Sequence, residues 1–292
     1  MPSKDAASAR LLARYAVESL LEEAHLTPKP ALVDRRGSGA HRDLDLAVLT
    51  RSAHALEPTF AALGHASRGK RPSAALRAEL AAIGRAGEAA MMRATNGSNA
   101  HRGAIWIVGL LVAGATISGA HGAHAWHAEH ICETGAQIAC FPDHAAPLPS
   151  SNGARVCERY GVGGARREAQ DGFLHVVRAG LPALHAARRR GVGENAARID
   201  ALLAIMTTLD DTCLLHRGGW PALDAAKRGA RNVLAAGGSG SPTGRAALNR
   251  LEQTLLSLNA SPGGAADLLA ATLFIDKLVR HRTGGSERAW NI

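Results

Sequence analysis

Aromatic residues are scarce. Two Tyr, four Phe and four Trp make up 3% of 292 positions. Strand-rich folds draw on aromatic and β-branched side chains to cover pleated faces, so this scarcity argues against one. No strand-like alternation persists anywhere, and no internal repeat stands out. Cysteine is sparse too. Cys132, Cys140, Cys157 and Cys213 form no CxxC pair, which reads as reduced, cytoplasmic usage rather than a disulfide framework. The opening residues, MPSKDAASAR, lack the apolar stretch of a secretory signal. The most apolar run, AIWIVGLLVAGATISGA over 104–120, is slightly short for a membrane span and carries several Gly and Ala. It is expected to be a buried central helix. Neither a Walker A loop nor a dinucleotide fingerprint is present.

What is abundant is Ala, Leu and Gly, within a chain that is 46% hydrophobic. Small side chains suit closely packed helices. The expected fold class is all-α, with enough residues for one large helical domain or two closely packed lobes. Helices are expected over residues 6–24, 44–64, 73–94, 104–120, 121–139, 168–187, 195–215 and 246–258. Another should follow HRGGW and stop at Gly237 and Gly238. A last helix should open with Ser261 as N-cap and Pro262 in its first turn. The formal charge is +9. A basic surface attracts polyanions: nucleic acid, nucleotides or coenzyme phosphates. Simple solubility is the plainer but less favoured reading.

Polar groups gather in loops beside the apolar helices, at 27–45, 95–103, 160–168, 210–219 and 261–267. In the first loop, Lys29, Arg35, Arg36, His41 and Arg42 surround Asp34. This is either a phosphate cradle with one carboxylate or a solvated loop of mixed charge. His101, Arg102 and Gly103 abut the most apolar helix, as a surface cap or a phosphate contact. Helix N-termini near Gly103 and Pro262 offer free N–H groups to phosphate. Asp210 and Asp211 are adjacent carboxylates after ALLAIMTTL, unfavourable unless a divalent cation or His216 and Arg217 counter them. His121, His124, His127 and His130 recur every three residues, but such a stripe rotates around a straight helix and no metal is assigned to it.

The segments TPKPALVDRRGSGAHRDLD, NAHRGAIW, RYGVGGARREA, LDDTCLLHRGG and SPGGAADLLAATLF occur in this order across nearly the whole chain. Together they resemble the triphosphoribosyl-dephospho-CoA synthase family, and most closely its malonate decarboxylase-associated type. Three positions depart from the family pattern: Ala31 and Arg167 where Gly is usual, and Ala100 where Thr is usual.

The resemblance implies a single all-helical domain over 1–292 and a cytoplasmic pentosyltransferase. The ribose 2′-hydroxyl of 3′-dephospho-CoA would attack C1′ of the ATP ribose, adenine would leave, and the triphosphate would stay on the transferred sugar. The product would reach the malonate decarboxylase acyl-carrier subunit through a prosthetic-group transferase. No nucleic acid or membrane partner is implied, and a homodimer is compatible with the Ala- and Gly-rich helices. Breaking a ribosyl C–N bond builds positive charge at C1′, so a nearby carboxylate, a base and cations for the triphosphate are required, with Mg2+ as the implied metal.

On that reading Asp34 is the candidate base. Asp210, Asp211 and Glu168 are candidates for Mg2+ or for stabilising C1′. Lys29, Arg35, Arg36, His41, Arg42, His101, Arg102, Gly103, His216, Arg217, Ser261, Gly263 and Gly264 are candidates for substrate phosphates. Two other readings stay open from the residues alone: a Mg2+-dependent nucleotide hydrolase on a helical scaffold, and a non-catalytic basic helical protein that binds nucleic acid. Against the second, the cations are mixed with carboxylates and few aromatics interleave them.

Overall fold

The computed structural model describes residues 4–119, 126–145 and 151–282. Among them every named element is helical. In chain order these are α1 (Lys4–His25), α2 (Leu46–Ala55), α3 (Glu57–Ser67), α4 (Ala74–Ala94), α5 (Arg102–Ser118), α6 (Ala128–Cys140), α7 (Asn152–Tyr160) and α8 (Gly164–Gln170). A π-helical turn, Val176–Gly180, leads into α9 (Leu181–Arg189). Then come α10 (Glu194–Met206), α11 (Thr212–Ala235), α12 (Pro242–Ser257) and α13 (Gly263–Arg282). The all-α expectation holds.

The apolar run forms α5, and almost all of it is buried. It lies against α1, α3, α4, α6, α8 and α13, so it is the axis of the molecule. Among the described residues no helix is long and apolar enough to cross a membrane. Small residues set the closeness of α5 to α6. A Cβ on Gly114 would stand 2.4 Å from the Ile131 carbonyl oxygen, so only hydrogen fits there.

Several expected boundaries move, each for a local reason. The single helix over 44–64 is two helices, broken at Leu56, because Pro58 falls in the first turn of α3 and donates no N–H. The helix over 168–187 is interrupted by Gly172 at φ 88° and Phe173 at φ 56°, the latter fully buried. The helix over 195–215 stops at Met206, and a new one starts at Thr212. Asp211 caps that start by accepting from the Cys213 N–H at 2.8 Å. The HRGGW segment lies inside α11, which kinks at Gly219 (φ 62°). At α13 the Ser261 hydroxyl is not the capping acceptor. Asp211 accepts from Gly264 and Ala265 instead. His121 and His124 lie outside the described residues, and His127 and His130 are exposed.

Candidate active site

The loop between α1 and α2 folds inward around two buried charges. The Lys29 ammonium, 1% exposed, donates to a Glu23 carboxylate oxygen at 2.5 Å and to the Glu23 carbonyl at 2.6 Å. Burying such a pair costs desolvation, which good geometry and the second hydrogen bond offset. Asp34 is equally buried. Its carboxylate accepts from the N–H groups of Lys29 (2.9 Å) and Arg36 (2.8 Å) and from the Arg36 guanidinium. Arg36 continues to Glu252 on α12 at 2.7 Å. The acceptor capacity of Asp34 is therefore spent on holding the loop.

His41, on the far limb of the same loop, reaches α11 and α13. Arg217 donates to its Nδ1 at 3.0 Å, so Nε2 carries the proton and donates to Ser261 Oγ at 3.0 Å. Burial, with Arg217 and Lys29 nearby, lowers its pKa to about 4. Arg217 also donates to the Ala40 carbonyl at 2.8 Å. His101, at the start of α5, is buried and shares a 2.7 Å hydrogen bond between Nδ1 and Ser52 Oγ. Its Nε2 has no hydrogen-bond partner among the described residues. Burial and the positive charge of Lys29 hold its pKa near 4, so it is neutral at ordinary pH.

Three carboxylates complete the cluster. Asp211 is buried and receives backbone N–H groups from α11 and α13, yet burial still raises its pKa. Asp267, one turn into α13, is partly exposed by surface area but deeply surrounded by protein. Desolvation, then Glu23, then Asp211 push its carboxyl well above the usual range, against a hydrogen bond from the Ala104 N–H. Gly103 makes this approach possible. A Cβ there would lie 2.0 Å from Asp267 Oδ2. The N-termini of α5, α11 and α13 thus converge, and their free donors are partly taken by carboxylates.

The loop, the start of α5 and the start of α13 bring together Lys29, His41, His101, Gly103, Asp211, Arg217 and Ser261. Other candidates lie apart. Asp210 does not pair with Asp211. It is half-exposed and binds Lys227 at 2.6 Å. Glu168 is buried and engaged with His175, through its N–H at 2.8 Å and Nδ1 at 2.6 Å. Arg35, Arg42 and His216 are exposed. Arg102 stands 3.1 Å from Glu88 on α4. The Gly263 N–H donates to the Ser261 carbonyl at 3.0 Å, and the Gly264 N–H goes to Asp211. Among the described residues no group of three or more His, Cys, Asp or Glu side chains is arranged to hold a metal by itself.

Sequence reasoning missed Glu23, Ser52 and Asp267. A lone carboxylate one turn into an otherwise apolar stretch, as in GGAADLLAATLF, was the available signal for Asp267. Nothing local distinguishes Glu23 from its neighbour Glu22.

Residues 9–285 match the family model of CitG, the ATP:dephospho-CoA triphosphoribosyl transferases. The chain is 56% identical over 274 residues to a probable 2-(5''-triphosphoribosyl)-3'-dephosphocoenzyme-A synthase of Stutzerimonas stutzeri, covering 93% of this chain and 92% of that one. It is 52% identical to the 2-(5''-triphosphoribosyl)-3'-dephosphocoenzyme-A synthase of Klebsiella pneumoniae, covering 91% and 94%. A probable synthase of Azotobacter vinelandii is 53% identical, covering 92% of each chain. No solved structure matches.

Proposed function

The chain belongs to the ATP:dephospho-CoA triphosphoribosyl transferase family, and on that premise we propose that Asp267 is the carboxylate facing the reacting ribose. The reaction moves the triphosphoribosyl group of ATP to the 2′-hydroxyl of 3′-dephospho-CoA. The triphosphate travels with the sugar, so the group that leaves is adenine. The O–C1′ bond forms as the C1′–N bond breaks, and the hydroxyl gives up its proton.

The observation that carries the assignment is the crowding of Asp267 by Glu23 and Asp211 beside the close approach of Gly103. A carboxyl raised by its surroundings is a better proton acceptor near neutral pH than an ordinary one. It also places negative charge where C1′ becomes positive. Asp34, fully occupied by Lys29 and Arg36, is better read as the residue that shapes the loop.

Lys29, His41, Arg217 and Ser261 form the polar side of the cluster and would meet the phosphates. Neutral His101, with its open Nε2, would hydrogen-bond a sugar hydroxyl or the departing base. Mg2+ that keeps its waters needs only one or two protein carboxylates plus substrate phosphates; the Asp211 oxygens are given over to backbone N–H groups, so Glu23, beside Asp267, is the carboxylate that would serve it. Such an ion would neutralise triphosphate charge when bound. The malonate decarboxylase acyl-carrier subunit as final destination is part of the same proposal and rests on the loop segments alone.

The test is adenine release from ATP with Mg2+, comparing 3′-dephospho-CoA with CoA. Release that requires dephospho-CoA, and stops when EDTA removes the metal, is the expected result. Adenine formed equally without any acceptor would contradict the transferase reading.

A further inference from the structure

A cavity of about 330 Å3 lies between α4 and α5. Arg102, which lines it, stands between His101 and Gly103 in the chain. Leu80, Ile105 and Leu110 are among its apolar walls, and its polar side chains are Arg77, Arg85 and Arg102 beside Glu88, Asp143 and Ser151.

Arg77 is the unusual one. It is buried, yet its Nε–H has no hydrogen-bond partner among the described residues. The guanidinium stacks over Trp106 at 4.8 Å from the ring centre. Its nearest acid, Asp143, is 3.8 Å away and is bonded instead to Arg85 at 2.8 Å. Arg102 stands 3.1 Å from Glu88 without an aligned hydrogen bond from its Nε. Three guanidiniums therefore share two carboxylates, and Arg166 adds further positive charge near Arg77. A buried, poorly matched arginine is costly unless something anionic completes it.

The two substrates differ in how they would use such a place. ATP offers a compact triphosphate. Dephospho-CoA offers a diphosphate joined to a long pantetheine arm of low charge. Arginines on an apolar-walled cavity match the second. We propose that the α4–α5 cavity receives the pantetheine arm of dephospho-CoA, with its diphosphate on Arg77, Arg85 and Arg102. Asp143 and Glu88 release the arginines as the diphosphate arrives. This places the acceptor at the α5 start, on the approach to Asp267. The proposal rests on the transferase reading for the identity of the ligand, and on the cavity for its location.

Calorimetric titration of the full chain with 3′-dephospho-CoA, 4′-phosphopantetheine and ATP tests it. Two variants act by different means. Arg85→Ala removes a charge at a half-exposed position. Gly84→Phe fills the cavity from α4, where an added Cβ meets nothing closer than Ile105 at 4.0 Å. Both should weaken dephospho-CoA and phosphopantetheine binding by about 10-fold or more, with ATP affinity within about twofold. Equal weakening for ATP, or unchanged affinity for all three, overturns the assignment. So does wild-type protein that binds neither pantetheine compound. Wild-type protein that binds both, responds to the variants and releases no adenine would support the cavity while refuting the reaction.

Discussion

Ala31 holds a backbone conformation that its side chain resists. Its φ is 56°, in the left-handed region, and it is completely buried. A glycine would hold this conformation without that resistance. Ala31→Gly should raise stability by up to about 1 kcal/mol, less the entropy that glycine adds to the unfolded chain. A melting temperature a few degrees higher would show it, and a lower one would speak against the strain. Arg167, another departure, is harmless on structural grounds: it faces solvent and pairs with Asp171 at 2.7 Å.

His101 supplies a second prediction at this scale. Its folded pKa is near 4 against an ordinary 6.5, so between those values the unfolded chain binds the extra proton. Stability is full above about 6.5 and falls as pH drops toward 4, by on the order of 3 kcal/mol from this residue. His41 adds in the same direction. Asp211 and Asp267, with raised carboxyls, oppose it, because the folded state takes up protons there first. Melting followed from pH 7 to 4 should therefore slope less steeply in His101→Gln than in wild type. An unchanged slope would mean that His101 is not held neutral.

The elements show how much a sequence discloses. The identity of α5 as the buried axis was legible from its unbroken apolar composition, and α4 from its period and the capping Ser73. The breaks at Leu56 and Met206 were not, because apolar residues continue through or near them and the decisive signals, Pro58 and Asp211, act over one or two positions. Of the site, the loop cations and Asp211 stood out as clustered charge. Asp267 did not, because its character comes from Gly103, Glu23 and Asp211, all distant in sequence. The junction of α5 with α13 is testable as an element. Gly103→Ala would drive a Cβ into Asp267, and should cut turnover by about 100-fold or more while the helical circular dichroism stays native. Retained turnover would show that the close approach is dispensable.

At the scale of the molecule, charge binds together the helices that carry the site. Arg188 on α9 joins Glu194 on α10 at 2.7 Å and Asp276 on α13 at 2.8 Å. Lys277 on α13 reaches Glu22 on α1 at 2.5 Å, and Arg198 on α10 reaches the same carboxylate at 3.2 Å. Single exposed pairs contribute little, but a partly buried network sets register. Here it fixes α1 against α13, which is what sets Glu23 beside Asp267. The basic balance of the chain is put to use in the same way: arginines and lysines sit opposite carboxylates within loops and between helices.

On the proposed function Asp267, and not the exposed Asp210, serves the reacting ribose. Adenine release from ATP and 3′-dephospho-CoA, measured side by side for Asp267→Asn and Asp210→Asn, tests it most directly. A loss of about 1,000-fold or more is expected for the first and turnover within about twofold of wild type for the second, both folded. Near-normal release from Asp267→Asn, or its collapse in Asp210→Asn, would contradict it.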